Sequence, residues 1–304
     1  MVAMAPMTPK HEPVMAAEIL DLFALRAGAV VVDGTVGLAG HSELFAKAIT
    51  PGGTLVGFDW DASMLARAGE RLSAIRNVRI ELIHDDYRMM AVELDRLALS
   101  PDAILMDLGL NSAQIDDPER GLSFLQSGPL DMRMDRSRGE PASALLNRLS
   151  PSEIEQILFD LGDERWARAI AKKIVERRSE NPLRTTTDLV EAVLAAVPPG
   201  ARDKRIHPAT RSFQAVRIAV NGELEGLEEA ILGAAETLKK GGTIAVISFH
   251  SGEDRAAKTA FRALVQAGGF EDRIRKPLQA TPDEVARNPR SRSAKLRAVR
   301  RLAS

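Results

Sequence analysis

The stretch Val30-Val31-Val32-Asp33-Gly34-Thr35-Val36-Gly37-Leu38-Ala39-Gly40-His41-Ser42 decides the fold. Three β-branched residues read as a buried strand, and the glycines allow a sharp turn and close approach of a ligand. A helix carrying Leu44, Phe45, Ala48 and Ile49 follows, with Ser42 placed to cap it. Strand, glycine turn and helix start in succession make a cradle for an anionic group, because the first amides of a helix have no partner within it.

Working outward, apolar runs at 30–33, 54–59, 78–83 and 103–107 read as buried parallel strands. Helical patterns at 62–72 and 89–97 separate them, and a helix at 14–25 precedes them with Ile19, Leu20 and Phe23 on one side. This β-α-β order predicts a doubly wound α/β sheet. The next convincing strand, 243–249, comes only after a long helical stretch. Residues 111–135 are loop-like, whereas 152–161, 164–178 and 187–197 have helical spacing. Helices at 208–220 and 223–240 are expected to lead back into the sheet. The predicted organisation is therefore a core of 1–114 and 208–304, with 115–207 inserted as an all-α domain.

The 304 residues suffice for a large core, and 41 basic against 42 acidic residues exclude a uniformly basic surface. Nucleic-acid contact then depends on local clusters. No cysteine is present, which excludes disulfides, thiolate zinc sites and a cysteine nucleophile, and fits a reducing compartment. Neither a signal or transit peptide nor a membrane-length apolar window is evident, so a soluble cytoplasmic protein with no membrane partner is expected.

An acid ending the second strand of such a unit commonly accepts both ribose hydroxyls, and Asp59 takes that place. Two hydrogen bonds to a charged carboxylate contribute about 1.5–3 kcal/mol, about ten- to a hundredfold in affinity. The bland alternative is that Asp59 caps the helix starting near Asp61. No Gly-Lys-Ser/Thr follows the glycines, so a P-loop is excluded, and Gly34-x-x-Gly37-x-x-Gly40 departs from the dinucleotide pattern. S-adenosylmethionine suits the turn better. It offers a carboxylate to the amides, a ribose to Asp59 and an adenine to Tyr87, the only tyrosine, for which core filler is the competing role. Asp107 ends the fourth strand at the carboxyl edge, where open α/β sheets place ligands. The rivals are an NAD-dependent dehydrogenase, which needs pyrophosphate at the first turn, and a non-enzymatic RNA-binding assembly protein.

A longer series of motifs narrows this: His11-Glu12-Pro13-Val14-Met15, the turn 33–42, Asp107-Leu108-Gly109, the segment 128–135, the segment 207–218, Asn221, Ser248-Phe249-His250-Ser251 with Glu253-Asp254-Arg255, and the segment 288–293. In this order, over nearly the whole chain, they resemble the MraW (RsmH) methyltransferases of bacteria. The resemblance implies a class I (Rossmann-like) S-adenosylmethionine methyltransferase sheet with a helical insertion. It also implies methyl transfer to the exocyclic N4 of one cytidine in the decoding centre of small-subunit (16S) ribosomal RNA. Carried over by position, the cofactor contacts would be Ala39, Gly40, His41, Asp59, Tyr87, Asp107 and Gln114. Ala39 stands where the family usually has glycine, and fits if its φ is negative. Val36 replaces phenylalanine, Tyr87 replaces phenylalanine, and Asn111-Ser112-Ala113-Gln114 replaces Ser-Ser-Pro-Gln.

An acceptor for an N4 hydrogen would assist transfer, and the two candidate catalytic residues are Asp107 and His250, the latter with a structural role as its alternative. Methylation at cytosine C5 is disfavoured because it ordinarily needs a cysteine. Basic clusters occur at Arg165, Arg168, Lys172, Lys173, Arg177 and Arg178, around 202–217, and across 287–301, each equally readable as a solvated face. With 4% aromatics, backbone charge and RNA shape should dominate binding. Asp116, Asp117, Glu119, Asp131 and Asp135 read as turn and cap residues rather than a metal site, so no structural metal is expected. A homodimer is left open.

Overall fold

The computed structural model describes residues 12–203 and 205–303. His11 of the first motif and Lys204 in the second basic cluster lie outside the described residues. In chain order, α1 (Ala16–Phe23), β1 (Val30–Asp33), α2 (Gly40–Ala48), β2 (Thr54–Asp59), α3 (Ala62–Leu72), β3 (Arg79–His84), α4 (Met90–Arg96) and β4 (Ala103–Asp107) come first. Six helices follow: α5 (Ser112–Asp116), α6 (Ala142–Arg148), α7 (Pro151–Gly162), α8 (Ala167–Glu180), α9 (Thr186–Ala196) and α10 (Thr210–Asn221). The chain continues through α11 (Leu227–Thr237), β5 (Thr243–Ser248), α12 (Ser251–Gln266), β6 (Phe270–Asp272), β7 (Leu278–Gln279), α13 (Pro282–Arg287) and β8 (Lys295–Arg301).

These elements form two units, one from the chain up to Gly109 together with that from Gly226 onward, the other Leu110–Glu225. The first holds a single mixed sheet in the order β3-β2-β1-β4-β5-β8-β6, with β7 also on β8. The strands from β3 to β5 are parallel, and β8 runs antiparallel to β5. Central β5 is buried along its whole length, whereas β3 has exposed ends and no fully buried residue, as befits an edge. Successive strands step outward from β1 through β2 to β3 on one side and through β4 to β5 on the other. That reversal between β1 and β4 is where an open α/β sheet forms a ligand crevice, beyond the carboxyl ends of its strands. The core beneath it includes Val31, Phe45, Leu55, Leu105, Ile247 and Leu296, all without solvent exposure.

The second unit is helical and has its own core, including Leu146, Ile154, Leu158, Ile170, Ile174 and Leu189. Its helix starts are set by capping boxes: Ser150 with Glu153 for α7, and Thr185 with Asp188 for α9. The unit is wider than 115–207, because α10 packs on α7 instead of serving as the return to the sheet. Gly162 makes this crossing close; a Cβ there would lie 2.8 Å from Arg211 O and 2.9 Å from the Ala215 methyl. Within the unit Asn221 Oδ1 accepts Met134 N–H at 2.7 Å while its amide donates to Met132 O at 2.9 Å. The acids of 117–135 are engaged locally: Asp117 accepts Glu119 N–H, Asp131 pairs with Arg133, and Asp135 accepts Ser137 N–H. Among the described residues, no helix is long and apolar enough to cross a membrane.

Candidate active site

The ends of β1, β2 and β4 each place an aspartate at the crevice: Asp33, Asp59 and Asp107. The turn after β1 is tied to its neighbours on both sides. Gly34 N–H donates to Leu105 O at 2.8 Å, Val36 N–H to Phe58 O at 2.9 Å, and Thr35 Oγ1 accepts Asp107 N–H at 2.8 Å. Gly37 has φ 51° and Ala39 has φ 60°, both in the left-handed region. The expectation of a negative φ at Ala39 is therefore corrected. The chain must reverse into α2 there, and the alanine methyl is carried in a conformation that glycine enters freely. Gly57 is required for a different reason, since a Cβ on it would collide with the Val36 side chain that folds over β2.

Ser42 does not cap α2. The N-cap is Ala39, which makes no side-chain cap, and Ser42 Oγ instead donates to Asp33 Oδ2 at 2.5 Å. The N-cap residue Ala39 thus brings no side-chain acceptor to the start of α2, while Asp33 takes both the hydroxyl and the backbone N–H of Ser42; a helix start of this kind favours the carboxylate of a ligand. Asp59 does not cap α3; Asp61 does, accepting Ser63 N–H at 3.0 Å. Asp59 is held by Gly37 N–H at 2.7 Å and Asp61 N–H at 2.9 Å, one on each oxygen, so its carboxylate is fixed and keeps lone pairs for further donors. Burial pushes it up to about 6 from 3.8, with those two N–H groups opposing and the charges of Asp61 and Asp33 assisting.

Tyr87 follows β3 and is buried, with its ring 6.2 Å from that of Trp60, the residue after Asp59. Arg88 lies over both rings, 5.4 Å from the Trp60 centroid and 5.9 Å from that of Tyr87. Trp60 was not among the sequence candidates. Its only signal was adjacency to Asp59, and its pairing with Tyr87 spans two strand ends.

His41, the second residue of α2, is buried and stacks on Phe45. Its Nε2 lies 3.7 Å from Asp107 Oδ2, while Asp107 Oδ1 is buried with no hydrogen-bond partner. Burial pushes Asp107 up to about 7, the Asp33 and Glu253 charges add to the rise, and Gly109 N–H opposes it. Asp33 is pushed up to about 6 by burial against the Ser42 and Thr35 hydrogen bonds. His250 is the N-cap of α12: its Nδ1 accepts Glu253 N–H at 3.4 Å, and its Nε2 is 3.1 Å from Glu253 Oε1. Gln114 lies in the helical unit, where it is buried and its Oε1 accepts Asn111 N–H at 3.4 Å in the capping box of α5. Ala39, Gly40, His41, Asp59, Tyr87 and Asp107 are thus gathered at neighbouring strand ends of one sheet.

The sequence model of the MraW methylase family matches residues 8–302. The chain belongs to that family. Ribosomal RNA small subunit methyltransferase H of Geotalea uraniireducens is 46% identical over 308 residues, covering 96% of this chain and 98% of the relative. The protein of the same name from Syntrophobacter fumaroxidans is 44% identical, covering 95% and 96%. Among solved structures, an rRNA methylase from Streptococcus thermophilus has a TM-score of 0.41 at 13% identity and covers 93% of each chain.

Membership makes the chain an S-adenosylmethionine-dependent methyltransferase, and the pocket's chemistry fits that donor. The buried carboxyls at the ends of β1 and β4, Asp33 and Asp107, would disfavour the pyrophosphate of a dinucleotide beside this turn. A ligand bearing an ammonium and a sulfonium instead relieves their mutual repulsion. The unpartnered Asp107 Oδ1 is the atom still open to such a ligand or to a substrate donor.

Proposed function

We propose that the protein methylates the exocyclic N4 of one cytidine in the decoding centre of small-subunit (16S) ribosomal RNA, acting in the cytoplasm on the small subunit. The observation that carries this reading is Asp107, an acceptor with one buried, unpartnered oxygen at the switch point of the sheet. Full-length likeness to proteins named for small-subunit RNA methylation supports the substrate class.

When bound, S-adenosylmethionine supplies an electrophilic methyl carbon and a neutral thioether leaving group. The amides at the start of α2, around Gly40 and His41, would hold its carboxylate. Asp59 would accept its ribose hydroxyls, and Trp60 with Tyr87 would border its adenine. Gln114 is proposed as a further contact. Asp107 would accept a hydrogen of the cytosine amino group at Oδ1, which matters because the N4 lone pair is delocalised into the ring and the nitrogen turns acidic as it is alkylated. A carboxyl near pH 7 is poised for that exchange. His41 Nε2 lies 3.7 Å from the other oxygen. His250 holds the start of α12 and so places Glu253, whose charge adds to the basicity of Asp107. No cysteine is available for attack on the ring, which disfavours C5 and leaves an amino nitrogen or a ribose hydroxyl, of which the family resemblance favours the amino nitrogen. The helical unit is proposed to contact the RNA substrate, with Arg168 among its exposed cations.

Mass spectrometry of small-subunit RNA from cells with and without the gene tests the reading. N4-methylcytidine at one site should vanish with the gene; its persistence, or loss of a different modification, would refute the assignment.

A further inference from the structure

Most of the basic residues that stand out in the sequence are spent inside the fold. On α8, Arg177 meets Asp188 and Glu191, Lys172 and Lys173 both meet Glu176, and Arg178 donates to Leu146 O. In the tail, Lys295 and Arg297 share Asp254, and Arg301 reaches Glu236. A cation already matched by a carboxylate adds little to the field that attracts a phosphate chain.

Helix α12 is different. From Arg255 to Gln266 it carries Arg255, Lys258 and Arg262 and no acid. All three are exposed, and among the described residues none of them forms an ion pair. Their i, i+3, i+7 spacing confines them to about 60° of the helix circumference. That stripe lies opposite Ala257, Ala260, Phe261 and Leu264, which bury the other face. Both acids at the helix start are withdrawn: Glu253 is buried in the cap with His250, and Asp254 is neutralised by Lys295 and Arg297.

The position of the stripe gives it meaning. Helix α12 leaves the carboxyl end of β5, beside β4, and its first-turn Glu253 is near enough to Asp107 to raise that carboxyl. The three cations therefore start about one turn from the site and lead away from it over about 10 Å. We propose that Arg255, Lys258 and Arg262 on α12 grip phosphates of the RNA strand that carries the acceptor base to Asp107. The inference rests on the ribosomal RNA reading above. Such contacts position the strand without reading its sequence, and each releases a condensed counterion on binding.

The test compares wild type with the triple variant R255Q/K258Q/R262Q on small ribosomal subunits from cells lacking the gene. Methyl transfer and binding are followed from about 50 to about 200 mM salt. The variant's KM for the subunit should rise at least about tenfold, and the slope of log affinity against log salt should flatten by about 2, close to 0.7 per lost contact. Its kcat at saturating subunit and its affinity for S-adenosylhomocysteine should match wild type, which also shows that it is folded. A K172Q/K173Q variant on α8, whose lysines both meet Glu176, should shift the KM less. An unchanged KM and salt slope in the α12 variant would overturn the stripe alone. Failure of wild type to bind or methylate the subunit would overturn the substrate reading, and the stripe with it.

Discussion

Replacing Asp107 by asparagine is expected to stabilise the ligand-free protein at about pH 8 while removing methyl transfer. The reasoning starts from a carboxyl whose ordinary value of 3.8 is pushed up to about 7, first by burial and then by Asp33 and Glu253. At about 1.36 kcal/mol for each pH unit, ionising Asp107 costs the folded state up to about 4 kcal/mol relative to the unfolded chain. The side chain is still 22% exposed, so solvent screening reduces that figure. The asparagine amide also loses water on burial, at about 1–3 kcal/mol. A net gain of about 1–2 kcal/mol remains.

The sign fixes the pH window. A carboxyl raised in the folded state binds its proton more tightly there than in the unfolded chain. Its stabilising contribution is therefore complete below about 4, is lost as pH rises through about 7, and stays lost above. Wild type should lose stability across that window, and the asparagine variant should lose less. Its advantage should be clear at about pH 8 and close to nil at about pH 4. Urea denaturation of both proteins at the two pH values, with equal m-values as the control, measures this directly. A variant no more stable than wild type at the higher pH, or one with the same advantage at both, would refute the buried-charge argument. Transfer to RNA should fall by about a hundredfold or more, as for the loss of a positioned proton acceptor.

Two further outcomes follow from the same site. Ala39→Gly should stabilise the protein by about 0.5–1 kcal/mol, because relief of the left-handed strain at φ 60° exceeds the entropy that glycine adds to the unfolded chain; thermal melting checks this, and a lower melting temperature would contradict it. Affinity for S-adenosylmethionine should rise about tenfold between about pH 5.5 and about pH 7.5, since a cationic ligand favours the ionised forms of Asp33, Asp59 and Asp107 and binding must release protons below their values. Calorimetry in buffers of different ionisation heat would show that release, and a flat profile would exclude these carboxyls from the binding charge.

What the chain discloses before folding follows the range of the forces involved. Strands β1, β2 and β4 and the turn at 33–42 were legible because a buried parallel strand is a short run of apolar residues and a glycine turn is local. Strand β8 lies within the basic stretch 287–301. Its Leu296 and Ala298 are buried while the intervening Arg297 pairs with Asp254, so an alternation runs from Lys295 to Ala298 beneath the dominant charge and is broken at Val299, which is also buried. The roles of Ser42 and Trp60 were not legible, since each is set by a partner on another strand end, Asp33 in one case and Tyr87 in the other. How far each basic cluster is paired was only partly legible for the same reason: Lys172 and Glu176 are four apart and visible, whereas Asp188 reaches Arg177 only after two helices pack.

The three strand-end aspartates show why such a site stays legible even though it opposes stability. Nothing in packing calls for acids at adjacent strand ends, and burial penalises each of them. A fold selected only for its core would place neutral side chains there, as the neighbouring strand interiors do. Asp33 offsets part of its penalty through Thr35 and Ser42; on the proposed function, a cationic donor or a base amino group would recover that of Asp59 and Asp107 on binding. On that proposal the same carboxyls that weaken the ligand-free protein would supply the affinity and the proton acceptor, so a substitution that improves stability there should diminish activity.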